Sequence, residues 1–251
     1  MRDLVQTREY FDKGIAFKQM CINEDKDTVN NIKSHEGRAG QVHDLLHIGV
    51  NLCRQHYSRG DDLKAMNPTV TQMGMMFKLK AQTMPTLTEL TSAEKEMWAN
   101  LRLSELFDFF WCLSFVVGLR YSQNDIRAVL DWIGHAGEDG LLDRIAVLLG
   151  DKDRAVMAHS KFEPEFDPLI EVMDAPVEQR PALLANYVNT WYKRMKRASW
   201  HNTHKGEAYC GYWCFEAALV AMLLDIDDSA IADHIHYPVD LVKHYRAASH
   251  D

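Results

Sequence analysis

The sequence is poor in helix breakers. Of 251 residues, 13 are Gly and 7 are Pro, a composition that excludes collagen-like and low-complexity chains and fits an ordinary globular protein with a substantial core. It also has no apolar run of the ~20 residues needed to span a bilayer. The most apolar stretch, LFDFFWCLSFVVGL from Leu106 to Leu119, is interrupted by Asp108 and reads as a buried helix. The N-terminus, MRDLVQTREYFDKG, has neither the apolar centre nor the small-residue cleavage site of a secretory signal, so a cytoplasmic protein is expected. The five cysteines are odd in number and mostly lie within apolar helical patterns, as free thiols in a reducing compartment would. No G-x-x-x-x-G-K-[ST] loop, G-x-G-x-x-G turn or G-x-S-x-G elbow occurs, which argues against a phosphate-cradling cofactor site.

Negative charge is present, but unevenly. Residues 1–121 hold 15 Lys or Arg against 15 Asp or Glu, and residues 179–251 hold 8 against 8. Residues 122–178 hold 5 against 13, so this one segment carries the whole formal net charge of −8. Such a surface disfavours nucleic acid or anionic membrane as a partner and favours something basic. The bland alternative is an acidic face that only keeps the protein soluble.

Strand-like alternation is also missing, and the expected class is all-α. In Arg38 to Tyr57 the set Val42, Leu46, Val50, Cys53 and Tyr57 forms one stripe at three-to-four spacing. Further helices are expected at 4–20, 68–83, 92–119, 123–134, 139–149, 165–173, 177–198, 211–225 and 238–248. Start signals support several: Thr91-Ser92 before Glu94, Ser122 before Asp125, and Pro68 and Pro181 at the beginnings of periodic runs. A new cap and the change in charge balance suggest a boundary near Tyr121-Ser122. Two closely packed helical halves, 1–121 and 122–251, are expected, with 211–225 as a buried apolar central helix.

Three places could carry chemistry. HDLLH places His43 and His47 one helical turn apart, as in the zinc-binding H-E-x-x-H helix, but Asp44 replaces the catalytic Glu and Arg54 projects on the same flank. His201, His204, Cys210 and Cys214 are all potential zinc ligands, although their spacing is not that of paired knuckles. CGYWC has one residue too many for a C-x-x-C redox pair and the wrong order for a papain-like nucleophile. Glu216 has Tyr212, Trp213, Leu219 and Val220 as helical neighbours, so its carboxylate must be paired, hydrogen-bonded or protonated. His201, His204 and Lys205 are the expected donors. KRMKR, Lys193 to Arg197, reads as a cationic helix end.

HKGEAYCGYWCFEAALVAMLLDIDDS followed by HYPVDL at His236 to Leu241 resembles the C-terminal domain of the PoNi immunity proteins, partners of polymorphic nuclease toxins delivered between competing bacteria. GYWCFEAA is the specific part. The first half, beginning MRDLVQTREYFDKGI, is similar to the helical N-terminal domain of the same family. The resemblance implies an all-α protein that neutralises a DNase toxin by binding it, without catalysis, cofactor or metal. Tyr212, Trp213, Phe215 and Glu216 would then belong to a fold-defining helix. The charge distribution proposes the contacts: Asp131, Glu138, Asp139, Asp143, Asp151, Asp153, Glu163, Glu165 and Asp167. The rival expectation is a helical metal-dependent hydrolase using His43/His47 or His201/His204, with Glu216 as acid or base.

Overall fold

A computed structural model describes residues 1–247, among which there is no β-strand. Eleven α-helices follow one another: α1 Arg8–Asp25, α2 His35–Arg59, α3 Asn67–Thr83, α4 Ser92–Ala99, α5 Leu103–Gly118, α6 Gln123–Ile133, α7 Gly140–Leu148, α8 Glu163–Asp174, α9 Arg180–Arg194, α10 Phe215–Leu223 and α11 Val239–Ala247. The last residue of the helix expected at 238–248 lies outside the described residues. No described helix is long and apolar enough to cross a membrane.

Contacts divide the chain into two compact units. One holds residues 1–108 together with 202–211, the other, among the described residues, 109–201 together with 212–247. The division by contacts falls within α5. In the first unit α1 and α3 both pack on α2. In the second, α9 packs on α8, and α10 contacts α7, α9 and α11. Leu106, Phe107, Phe109, Phe110, Trp111 and Leu113 of α5 are each at most 1 % exposed, as a helix apolar on every side must be.

Helix starts follow the capping chemistry. Thr91 and Glu94 form a reciprocal capping box, and Ser122 accepts a hydrogen bond from the Asp125 N–H. The first helix begins later than expected because Asp3 folds residues 4–6 into a turn, its Oδ1 accepting from the Val5 and Gln6 N–H groups, and Thr7 then caps α1. The helix expected over 92–119 is broken. Asn100 is extended, buried Leu101 turns inward, and Glu105 accepts from the Arg102 N–H to start α5 anew. The helix expected at 211–225 is shorter, Phe215–Leu223, because Gly211 has φ +95° and the Cys214 N–H donates to the His236 carbonyl at 2.8 Å. Tyr212 and Trp213 therefore precede the buried helix rather than belong to it.

Candidate functional site

The acidic segment is built from two kinds of carboxylate. Three of those expected to face a partner are buried: Asp139 and Asp143 at 0 % and Glu165 at 1 % exposure. Asp139 caps α7, its Oδ1 accepting from the Leu141 and Leu142 N–H groups at 3.0 and 2.9 Å. Its Oδ2 accepts from the Ser160 hydroxyl at 2.5 Å and the Lys161 N–H at 2.9 Å. Burial raises its pKa, and these donors offset part of the rise. Asp143 binds Arg154 Nε at 2.7 Å and accepts from the Gly137 and Met157 N–H groups at 3.0 and 3.2 Å. Glu165 takes both Nε and Nη2 of Arg197, at 2.7 and 2.5 Å. These three are not at the surface, because each is spent on donors inside the fold. One sequence signal was present for Glu165: it shares a helical face with Leu169 and Val172.

The remaining six lie at or near the surface. Asp131 and Asp151 share Arg127, at 3.1 and 2.9 Å, and Glu138 lies 3.1 Å from His135 Nδ1. Asp167 accepts from the Ser160 N–H at 2.8 Å and meets His159 Nδ1 at 2.6 Å. Asp153 and Glu163 are exposed. Sequence reasoning missed Glu171, Asp174 and Glu178, which continue the Glu163–Asp167 stripe at helical spacing along α8 and into the 3-10 turn Val177–Gln179. Asp174 pairs with Arg144 at 2.9 Å. Among the described residues, Glu163, Glu171 and Glu178 are exposed and make no ion pair. The outer face of α8 is thus an almost continuous line of carboxylates, ending beside Val177, which is 70 % exposed.

Behind this face lies the GYWCFE motif, and all four motif side chains are buried: Tyr212 7 %, Trp213 6 %, Phe215 0 % and Glu216 0 %. The Glu216 carboxylate is held by α9 and not by the expected His201, His204 or Lys205. Trp191 Nε1–H donates to Oε1 at 2.5 Å and the Tyr187 hydroxyl donates at 3.3 Å. Burial pushes its pKa up to about 7 even though these donors act against the rise. Burial likewise drives the Cys214 thiol well above its usual range, so it is not a ready nucleophile. Past the end of α9, Arg197 of the KRMKR stretch is committed to Glu165.

The histidines are engaged elsewhere. His43 Nδ1 lies 3.1 Å from Glu105, which also receives Lys80 at 3.0 Å and Arg102 at 3.1 Å. Burial lowers the His43 pKa. The Glu105 carboxyl, which burial alone would raise, is held well below the usual range by His43, Lys80 and Arg102. His47 meets Asp108 at 3.0 Å through Nδ1 and Asn51 at 2.8 Å through Nε2, and Asp108 raises its pKa. His47 therefore spends both nitrogens within the fold, whereas His43 spends Nδ1 there and its Nε2 is buried without a hydrogen-bond partner. His201 stacks on Tyr192 with centroids 4.3 Å apart, and the His204 carbonyl accepts from Gln6. Among the described residues no group of three or more His, Cys, Asp or Glu is arranged to hold a metal ion.

Two comparisons bear on this arrangement. Residues 137–241 match the family described as PoNe immunity proteins (PoNi), C-terminal, a span that covers α7 to α10, the acidic face and the whole GYWCFE motif. The crystal structure of protein PA2201 from Pseudomonas aeruginosa is similar at 17 % identity and a TM-score of 0.75, over 99 % of this chain and 91 % of that one. At that identity the likeness is one of fold, and it extends over both units. No curated protein matches the chain.

Proposed function

We propose, from the match of residues 137–241 to the PoNe immunity protein family, that this chain protects the cell that makes it by binding a cognate PoNe-type DNase toxin tightly in the cytoplasm. It acts stoichiometrically and without catalysis, and residues 1–121 form the N-terminal PoNi-like part of the same protein. The family match over 137–241 carries this reading. The charge supports it: a nuclease needs a basic surface for the phosphate backbone, and an inhibitor competing for that surface is acidic on the matching face. Of the carboxylates named from the sequence, Asp131, Glu138, Asp151, Asp153, Glu163 and Asp167 remain available to such a partner. Glu171, Asp174 and Glu178 join them.

The test is protection and binding with the cognate toxin. Cells expressing the toxin survive when this chain is co-expressed, and the purified pair associates at a rate that falls with salt, as the Debye length shrinks from about 10 Å at 0.1 M to about 3 Å at 1 M. Reversing Glu163, Glu171 and Glu178 to Lys slows association and weakens protection, whereas reversing Asp61 and Asp62 in the neutral half matters less. Equal losses from the two sets, or association indifferent to salt, would mean that the acidic face is only solvated.

A further inference from the structure

Between α7 and α8 the chain runs from residue 149 to 162 without an α-helix. Connections in compact domains are commonly ~4–6 residues, and irregular loops beyond ~12 usually serve a function or are disordered. This one is closely tied down. The Met157 N–H donates to Asp143 at 3.2 Å, and its carbonyl accepts from Arg144 Nη1 at 2.8 Å. The His159 carbonyl accepts from the Gly140 N–H at 2.9 Å, the Ser160 N–H donates to Asp167 at 2.8 Å, and the Lys161 N–H donates to Asp139 at 2.9 Å. Contact is so close that a Cβ on Gly140 would lie 2.6 Å from the His159 carbonyl oxygen and 2.7 Å from that of Met157.

A backbone held this firmly nevertheless turns its side chains outward. Ala155, Val156, Met157, Ala158 and His159 are exposed in succession, with Val156 at 47 % and Met157 at 48 %. Their exposure gives the isolated chain nothing, since burying them would be favourable. Buried carboxylates hold them out, and a partner that covers them need not bear the cost of ordering the loop. The surroundings specify that partner's charge. Asp174 shares Arg144 with the Met157 carbonyl, Asp153 lies two residues before Ala155 in the same connection, and Gly137, next to Glu138, approaches Ala155 to 3.7 Å from its Cβ position. The cations Arg127, Arg144 and Arg154 of the acidic segment are already held by its own carboxylates.

Building on the immunity reading above, we infer that the strap 155–159 is the centre of the toxin interface: Val156 and Met157 enter an apolar recess in the basic nuclease domain, and Glu138, Asp153, Asp174 and the α8 stripe form the rim. Asp139 and Asp143 contribute by holding the strap in shape, and they touch no partner. An apolar centre with a charged rim is the usual anatomy of a tight interface.

The experiment measures the Kd of the full chain with the nuclease domain of its cognate toxin as probe. The variant is Val156→Asp/Met157→Asp. If charge alone governed recognition, two added carboxylates would tighten binding to a basic partner. An apolar centre instead weakens it by about 30-fold or more, because both anions are desolvated. Met157→Ala, which adds no charge, weakens it by about tenfold. The same change at exposed apolar positions of the other unit, Leu4→Asp/Phe17→Asp, stays within about twofold, and the melting temperatures of all variants match the wild type. Wild-type binding with the strap variants unchanged or tighter overturns this inference and leaves the immunity reading intact. No binding by the wild type overturns both.

Discussion

Replacing Glu216 with Gln removes the one carboxyl that the core of the second unit keeps at 0 % exposure against aromatic donors. In the unfolded chain this group ionises near its ordinary value of 4.5, and in the folded protein near about 7. The folded state therefore holds the proton more tightly, and stability falls as pH rises. The contribution of the neutral acid is complete below about pH 4.5 and is lost as pH passes through about 7. At about 1.4 kcal/mol per tenfold change in proton affinity, ionisation destabilises the fold by about 3 kcal/mol once both states are charged. Between about pH 5.5 and about pH 8.5 the loss is about 2 kcal/mol. Gln keeps an acceptor for Trp191 and turns an amide toward the side where Oε2 has no hydrogen-bond partner, a cost that does not vary with pH. Urea denaturation of both proteins at the two pH values isolates the effect, since every other titrating group is common to them. The variant gains about 2 kcal/mol on the wild type as pH rises. Parallel pH profiles, agreeing within about 0.5 kcal/mol, would show that Glu216 is ionised in the core at neutral pH and that its aromatic donors fully compensate it.

Trp213→Ala removes a ring that is 6 % exposed and costs about 3–5 kcal/mol through lost burial and a cavity; an unchanged melting temperature would contradict its place in the core. Arg154→Ala leaves the Asp143 carboxylate buried without its cation and destabilises by about 3–5 kcal/mol, read by urea denaturation. A loss under about 1 kcal/mol would mean that the Gly137 and Met157 N–H groups satisfy Asp143 alone. Protein purified without a histidine tag carries well under one equivalent of zinc or iron by elemental analysis, because His43 and His47 are bonded to Glu105 and Asp108. Stoichiometric metal surviving dialysis would revive the hydrolase.

Local chemistry was legible wherever the determinants sit within one turn of each other. The caps at Thr91 and Ser122 were readable for that reason, as was the apolar character of α5. The break at Asn100 was not, because it depends on Glu105 being drawn to Lys80, 25 residues away in sequence. The same limit explains the acidic face. Charge counting located the segment, but the partners that draw Asp139, Asp143 and Glu165 inward, Ser160, Arg154 and Arg197, are selected by no spacing rule, and only Glu165 carried a signal, its helical face shared with Leu169 and Val172. The donors to Glu216 were misassigned for a related reason: the preceding loop was near in sequence, whereas Trp191 and Tyr187 are near in space. Glu171, Asp174 and Glu178 could have been read directly from their helical spacing to Glu163 and Asp167.

Residues 202–211 belong with the first unit although almost a hundred residues of the second precede them. Their carbonyls accept from side chains of α2: Tyr209 from Gln55, Cys210 from Ser58 and Gly211 from Arg54, all three donors buried. A nascent chain that has delivered residues 1–108 therefore cannot complete its first unit until residue 211 arrives. At ~5–20 residues per second that interval is roughly 5–20 s. Over that time the Arg54, Gln55 and Ser58 side chains await the carbonyls of residues 209–211, and the N-terminal part holds an open seam that the chain itself closes late. Fragments ending near residue 108 or 121 inherit that seam permanently. They are expected to be less soluble and more easily proteolysed than their helical content suggests, and a peptide spanning 202–211 supplied in trans is the natural agent to restore them.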